Sequence, residues 1–168
     1  LPAGSQYIIL DSSRDGLQQI AEALAGKSGI ESVQIVSFGK SGSVTLGSTV
    51  LTSSNMSSYR NELAAIGQAL SSDGDILMYG CNVGAGSAGK SFVNKLSAFT
   101  GADVAASSNK TGRGGDWVLE VASGSIESDG AVFASSGYSY TLDLFTGTDG
   151  NDTLVGTASD DGMYGYGG

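Results

Sequence analysis

Residues 75–91 read DILMYGCNVGAGSAGKS, an apolar run that ends at Gly80-Cys81 and passes through a glycine-rich loop into a helical pattern. A short apolar run with Ile76 to Tyr79 at its centre fits a strand buried on both faces. Residues 33–39, VQIVSFG, repeat the arrangement: a second apolar run closes on Ser37-Phe38-Gly39. Buried strands separated by helical segments predict a parallel sheet, and reactive groups in such a sheet lie beyond the carboxyl ends of its strands.

The pattern extends in both directions. Upstream, Tyr7-Ile8-Ile9-Leu10 reads as a buried first strand, followed by a helix with Leu17, Ile20 and Leu24 on one face and Gly26 at its end. Residues 40–51 alternate Gly, Ser and β-branched residues and suggest a small hairpin. Met56, Tyr59, Leu63, Ile66 and Leu70 recur at spacings of three and four, which predicts a helix over 55–70. Downstream, Ser87 is placed to cap a loop that leads into a helix at Gly89, carrying Phe92, Leu96 and Phe99 and stopping near Gly101. Residues 103–106 read as a further strand, 116–121 as another through alternating Trp117, Leu119 and Val121, and 131–141 as a last one. The predicted fold class is α/β: a mostly parallel sheet with helices on both faces and antiparallel additions near its end.

Composition narrows the function. The 168 residues suffice for one domain with a core and a short appendage. Eight basic against seventeen acidic side chains leave a net charge of −9, which excludes the basic footprint that a nucleic acid or an anionic membrane requires. One cysteine permits no intrachain disulfide and no thiolate zinc cluster, and the absence of histidine removes the usual imidazole roles. No apolar run approaches the roughly 20 residues of a membrane-spanning helix. No signal peptide with a basic flank opens the chain, which reads as a piece of a longer protein.

After Leu144 the composition shifts to Gly, Asp, Thr and Asn, dividing the chain into an α/β domain at 1–144 and a tail at 145–168. Residues 147–155, GTDGNDTLV, match the nonapeptide G-G-x-G-x-D-x-U-x apart from its second glycine. Residues 156–164, GTASDDGMY, keep the period, with Asp161 and Met163 in the aspartate and apolar places. The tail resembles the repeats-in-toxin (RTX) family, whose arrays form calcium-filled parallel β-rolls. That resemblance implies calcium bound through Asp149, Asp152 and Asp161 once the array is complete, and a bacterial protein secreted or held at the cell surface by type I secretion. A flexible Gly/Asp linker is the alternative, and two turns alone should bind calcium weakly.

The strand tips carry a second resemblance. One strand ending in Ser37-Phe38-Gly39 beside one ending in Tyr79-Gly80-Cys81 resembles the caspase-like cysteine peptidases, where the first strand ends in His-Gly and the next in a small residue followed by Cys. The segments LDSSRDGLQQIAEALAG, VQIVSFGKSGSVTLGS, DILMYGCNVGAGSAG, TGADVAASSNKTG and GGDWVLEV resemble more closely the DUF4347 family, found at the front of large RTX and adhesin-like proteins. The resemblance covers roughly residues 7–127. It implies Cys81 as nucleophile, the Gly39 N–H as part of an oxyanion hole, and Phe38 where the family has histidine. A thiol with pKa near 8.5 is only a few per cent thiolate at neutral pH and needs a base beside it. Phenylalanine supplies none, as in a natural pseudoenzyme or a chain whose histidine has been replaced. The resemblance also implies a strand and helix before the segment that begins at Leu1.

Residues 84–91, GAGSAGKS, satisfy G-x-x-x-x-G-K-[ST] between a strand and a helix, so Lys90 and Ser91 could serve phosphate and magnesium in a P-loop. No strand ending in a metal-binding aspartate follows. Lys110 and Arg113 lie in a polar loop and read as solvated, Trp117 as core. Three readings follow. The first is a cysteine peptidase-type domain acting on its own chain or a co-secreted polypeptide, inactive with Phe38 in place. The second is a non-catalytic binding or structural module of a larger RTX protein. The third is a nucleotide binder. No cofactor is expected for the α/β domain itself.

Overall fold

Strand β5, Leu70–Tyr79, holds the centre of the molecule, and its residues Ile76 to Tyr79 are all buried. The computed structural model describes residues 4–128, 144–146 and 162–164. Flanking β5 in parallel are β1 (Ile30–Val36) and β6 (Asp103–Ala106), while β7 (Val121–Ser123) lies antiparallel on β6, giving the order β1-β5-β6-β7. Side chains alternate across this sheet. Ile76 and Met78, with Val104 and Ala106 beside them, point into the main core. Leu77, Tyr79 and Ala105 point to the opposite face.

The main core is built by three helices. Helix α1, Gly16–Leu24, contributes Leu17 and Ile20; α2, Arg60–Ala69, contributes Leu63 and Ile66; α3, Gly86–Thr100, contributes Phe92, Val93 and Leu96. The 3.6-residue period places these positions on one side of each helix. Asp15 caps α1 by accepting from the Gln18 amide at 3.0 Å, and also accepts from the Thr49 and Tyr59 hydroxyls at 2.6 and 2.9 Å. Burial pulls its pKa up, but these bonds outweigh it and hold the carboxyl below its ordinary value. The fold therefore favours the carboxylate, and this contribution is lost as pH falls through that lowered pKa. Gly101, left-handed at φ 75°, ends α3.

The observed layering differs from the expectation of helices on both faces. All three helices share one core cluster, and among the described residues none covers the second face. Trp117, Leu119 and Ile126 pack there instead, from the chain on either side of β7. The ladder in this stretch is limited to Val121–Ser123, so the strand expected over 116–121 is mostly an apolar crossing without strand pairing. The expected hairpin at 40–51 is a three-stranded antiparallel sheet of β2 (Gly39–Lys40), β3 (Ser43–Leu46) and β4 (Thr49–Thr52).

Two further expectations are corrected. Residues 7–10 form no strand among the described residues: Tyr7, Ile8 and Ile9 are 71%, 53% and 86% exposed, and only Leu10 reaches the core. An apolar run becomes a strand only where a neighbour accepts its backbone, which the run cannot report about itself. Helix α3 begins at Gly86 with Ala85 as its N-cap and no side-chain cap, so Ser87 lies inside it. The strand expected at 131–141 lies outside the described residues. No helix among the described residues is long and apolar enough to cross a membrane.

Close packing of α2 on the end of α3 depends on Gly67, where an added methyl carbon would lie 1.8 Å from the Thr100 carbonyl oxygen. Gly67→Ala should therefore destabilise the fold by about 1–3 kcal/mol in urea unfolding, against the gain that alanine brings to an unobstructed helix site.

Candidate functional site

The tips of β1 and β5 meet at the carboxyl end of the sheet. Val36 and Tyr79 are register partners, and the Ser37 N–H donates to the Tyr79 carbonyl at 3.2 Å, so the two chains stay side by side as they leave the sheet. Beyond them only glycine fits. A methyl carbon on Gly39 would lie 2.4 Å from Val83 Cγ2 and 3.1 Å from the Cys81 carbonyl oxygen; one on Gly80 would lie 2.9 Å from the Ser37 carbonyl oxygen. Phe38 is half-buried, and its carbonyl accepts from the Thr45 N–H at 2.9 Å. The structure thus brings Phe38-Gly39 alongside Gly80-Cys81, as the two strand endings imply.

What surrounds the thiol was not legible in the sequence. Cys81 is fully buried. The Thr111 N–H donates to its Sγ at 3.2 Å, and the Sγ–H donates to the Thr111 carbonyl at 3.5 Å. Both polar faces of the thiol are therefore occupied by one residue's backbone. The Thr111 hydroxyl is also buried and has no hydrogen-bond partner among the described residues, so the main chain makes this contact. Asn82, directly after the cysteine, adopts a left-handed φ of 60° and donates its N–H to the Asn109 carbonyl at 2.7 Å. Asparagine tolerates that conformation better than most residues.

The loop that reaches Thr111 is fastened from outside. Glu120 accepts from the Ser108 N–H at 2.7 Å and from the Asn109 side-chain amide. Asp116 accepts from the same amide at 3.1 Å, while its N–H donates to the Lys110 carbonyl at 3.1 Å. Beneath the loop, the Tyr79 and Trp117 rings lie 5.6 Å apart, tilted by 55°. Burial raises the Tyr79 phenol to about 12, still further above neutral pH than an ordinary tyrosine, so it is protonated there and supplies no base. Lys110 and Arg113 are on exposed positions of this loop.

Residues 84–91 do not form a phosphate cradle. Gly86 through Ser91 are already helical, the Gly89 N–H donates to the Ala85 carbonyl at 2.9 Å, and the Gly84 N–H donates to the Ser107 carbonyl at 2.8 Å. A methyl carbon on Gly89 would lie 2.0 Å from the Gly84 carbonyl carbon, so these glycines let the helix start pack on its own loop. Asp149, Asp152 and Asp161 lie outside the described residues. On either side of them, β8 (Leu144–Thr146) and β9 (Gly162–Tyr164) pair in parallel. A group with metal-ligand spacing does occur among the described residues, at the other end of the sheet: Asp75, Asp103 and Glu127.

Residues 1–143 match the family described as Domain of unknown function (DUF4347), and the chain belongs to that family. No curated protein and no solved structure matches it.

Access to the thiol requires the Thr111 loop to open. Cys81 in the folded chain should react with dithiobis-nitrobenzoate at least about a hundredfold more slowly than in denaturant, because labelling waits on that opening. Stopped-flow absorbance with and without urea measures the ratio.

Proposed function

We propose that this member of the DUF4347 family is a caspase-like scaffold that does not cut peptide bonds and serves as a structural or recognition module of a secreted calcium-binding repeat protein. The observation that carries the reading is the state of Cys81. Its sulfur is buried and engaged in both directions by the Thr111 backbone, and Phe38 occupies the place where the resemblance puts a histidine. A nucleophilic thiol needs a base to make the thiolate and an open side from which the carbonyl approaches. Here the chain contains no histidine, Tyr79 is protonated at neutral pH, and the approach is filled by the loop. Gly39 then acts as a packing residue for Val83 and the Cys81 backbone rather than as an oxyanion donor.

The apposed strand tips and the left-handed Asn82 behind the cysteine favour descent from a peptidase-type site, since backbone strain of this kind concentrates at reactive positions. On that second reading the domain, with histidine restored, would process its own chain or a co-secreted polypeptide. The attached repeat protein is inferred from the tail. Strands β8 and β9 pair in parallel with their first residues at 144 and 162, two nonapeptide periods apart, the separation expected when alternate repeats stack. On this account Asp149, Asp152 and Asp161 take calcium in the complete array, and the protein is exported by type I secretion to the medium or the cell surface.

Restoring the base separates the two readings. Phe38→His and Phe38→His/Cys81→Ala chains are incubated with calcium and a peptide panel, and cleavage is followed on gels and by mass spectrometry. The expected result is no cleavage by either chain, because the thiol remains covered. Cleavage by Phe38→His that disappears in the double variant would instead make this a peptidase disabled at a single residue.

A further inference from the structure

At the end of the sheet opposite Cys81, three carboxylates converge. Asp75 lies within the buried part of β5, just before Ile76, Asp103 opens β6, and the two are register partners. Strand alternation puts them on the same face as Leu77, Tyr79 and Ala105. The chain beyond β7 returns over that face, packs Ile126 on it and delivers Glu127 to the same place. Each of the three residues offers a carboxylate oxygen, and these oxygens all lie within 4.8 Å of one another.

A second, independent feature points to a ligand. Asp75 is 0% exposed, and its Oδ2 accepts from the Glu127 and Ser128 N–H groups at 3.1 and 2.8 Å. Its Oδ1 is buried with no hydrogen-bond partner among the described residues. A buried carboxylate oxygen left without a donor or a cation is strongly unfavourable. Like charges directly opposite on neighbouring strands add repulsion. No ion pair among the described residues reaches any of the three; the pair found there is Arg14–Glu22.

We propose that Asp75, Asp103 and Glu127 form a divalent-cation site selective for calcium. A calcium ion, with ligand distances of about 2.3–2.6 Å, bridges oxygens up to about 4.6–5.2 Å apart, so three oxygens all within 4.8 Å of one another can share one ion. Magnesium demands near-ideal octahedral geometry and sheds its water reluctantly, whereas calcium accepts an irregular set of carboxylate oxygens such as two strand residues and a turn supply, which favours calcium. The donor set is all oxygen, and the one thiol lies at the far end of the sheet, so the softer transition metals are disfavoured. The turn that carries Glu127 is shaped to the site. Gly124 has φ +95°, a methyl carbon there would lie 1.9 Å from Asp103 Oδ1, and the Ser125 N–H donates to Asp103 Oδ2 at 3.0 Å. A bound ion would clamp the 124–128 turn to the amino end of β5 and β6, and with it the segment that covers the second face. This site is separate from the repeat tail and does not depend on the reading of that tail.

The test is calorimetric melting of the whole chain in EGTA, in about 5 mM calcium chloride and in the same concentration of magnesium chloride. It compares the unsubstituted chain with Glu127→Gln, Asp103→Asn and the tail variant Asp149→Asn/Asp152→Asn/Asp161→Asn. Calcium is expected to raise the Tm of the unsubstituted chain and of the tail variant by roughly 2–5 °C, with a smaller rise in magnesium. Glu127 is exposed, so Glu127→Gln should fold normally and lose most of the rise. Asp103→Asn should lose it too, while melting in EGTA no lower than the unsubstituted chain because it relieves repulsion at Asp75. No calcium effect on the unsubstituted chain, an undiminished effect in Glu127→Gln and Asp103→Asn, or loss of the effect in the tail variant alone would each overturn the proposal.

Discussion

The molecule is organised by the need to bury β5 on both faces when its three helices all pack on one of them. Ile76 and Met78 receive that helical layer, whereas Leu77 and Tyr79 face the other way and must be covered by chain that follows β6. An uncovered apolar face of this kind would cost roughly 1.5–3 kcal/mol for each large side chain left in water. The covering segment runs from the loop around Thr111 through Trp117 and Leu119 to Ile126. Both features of functional interest are consequences of how it is pinned. At the carboxyl end of the sheet it closes on the thiol through the Thr111 backbone; at the amino end it brings Glu127 and two amides to Asp75.

Along one face of β5 the order is therefore Asp75, Leu77, Tyr79, with Cys81 just past the strand. A buried acid and a buried thiol stand at opposite ends of an apolar band. The thiol is fully provided with partners by the protein itself, whereas the acid is left with one oxygen unsatisfied among the described residues. That asymmetry underlies both proposals, a structural role for Cys81 and a ligand at the acidic end.

Much of the helical side was legible from the sequence. The spacing of Met56, Tyr59, Leu63, Ile66 and Leu70 predicted a helix over 55–70; Tyr59 is half-buried and the other four are buried, but the α-helix is Arg60–Ala69, preceded by a 3-10 turn at Met56–Tyr59, and Leu70 opens β5. The apposition of Ser37-Phe38-Gly39 with Gly80-Cys81 was also legible, because parallel strands connected through helices share a carboxyl end. Periodicity failed where the outcome depended on a neighbour. Tyr7-Ile8-Ile9 has a strand's composition and remains exposed, and Trp117 and Leu119 alternate because they cross an apolar face without pairing. Thr111 was invisible since it acts through main-chain atoms, which every residue possesses. The Asp75–Asp103 pair was invisible because it arises from strand register across 28 positions.

Whether the backbone of Thr111 keeps the Cys81 site closed is decided by amide hydrogen exchange at Thr111, followed by NMR on the native chain. This amide should exchange nearly as slowly as that of Leu77 in the β5 ladder, because it is held on a fully buried sulfur. Exchange at the rate of the exposed residues that follow, Arg113 and Gly114, would mean that the loop opens freely, and would return Cys81 to the role of an accessible nucleophile.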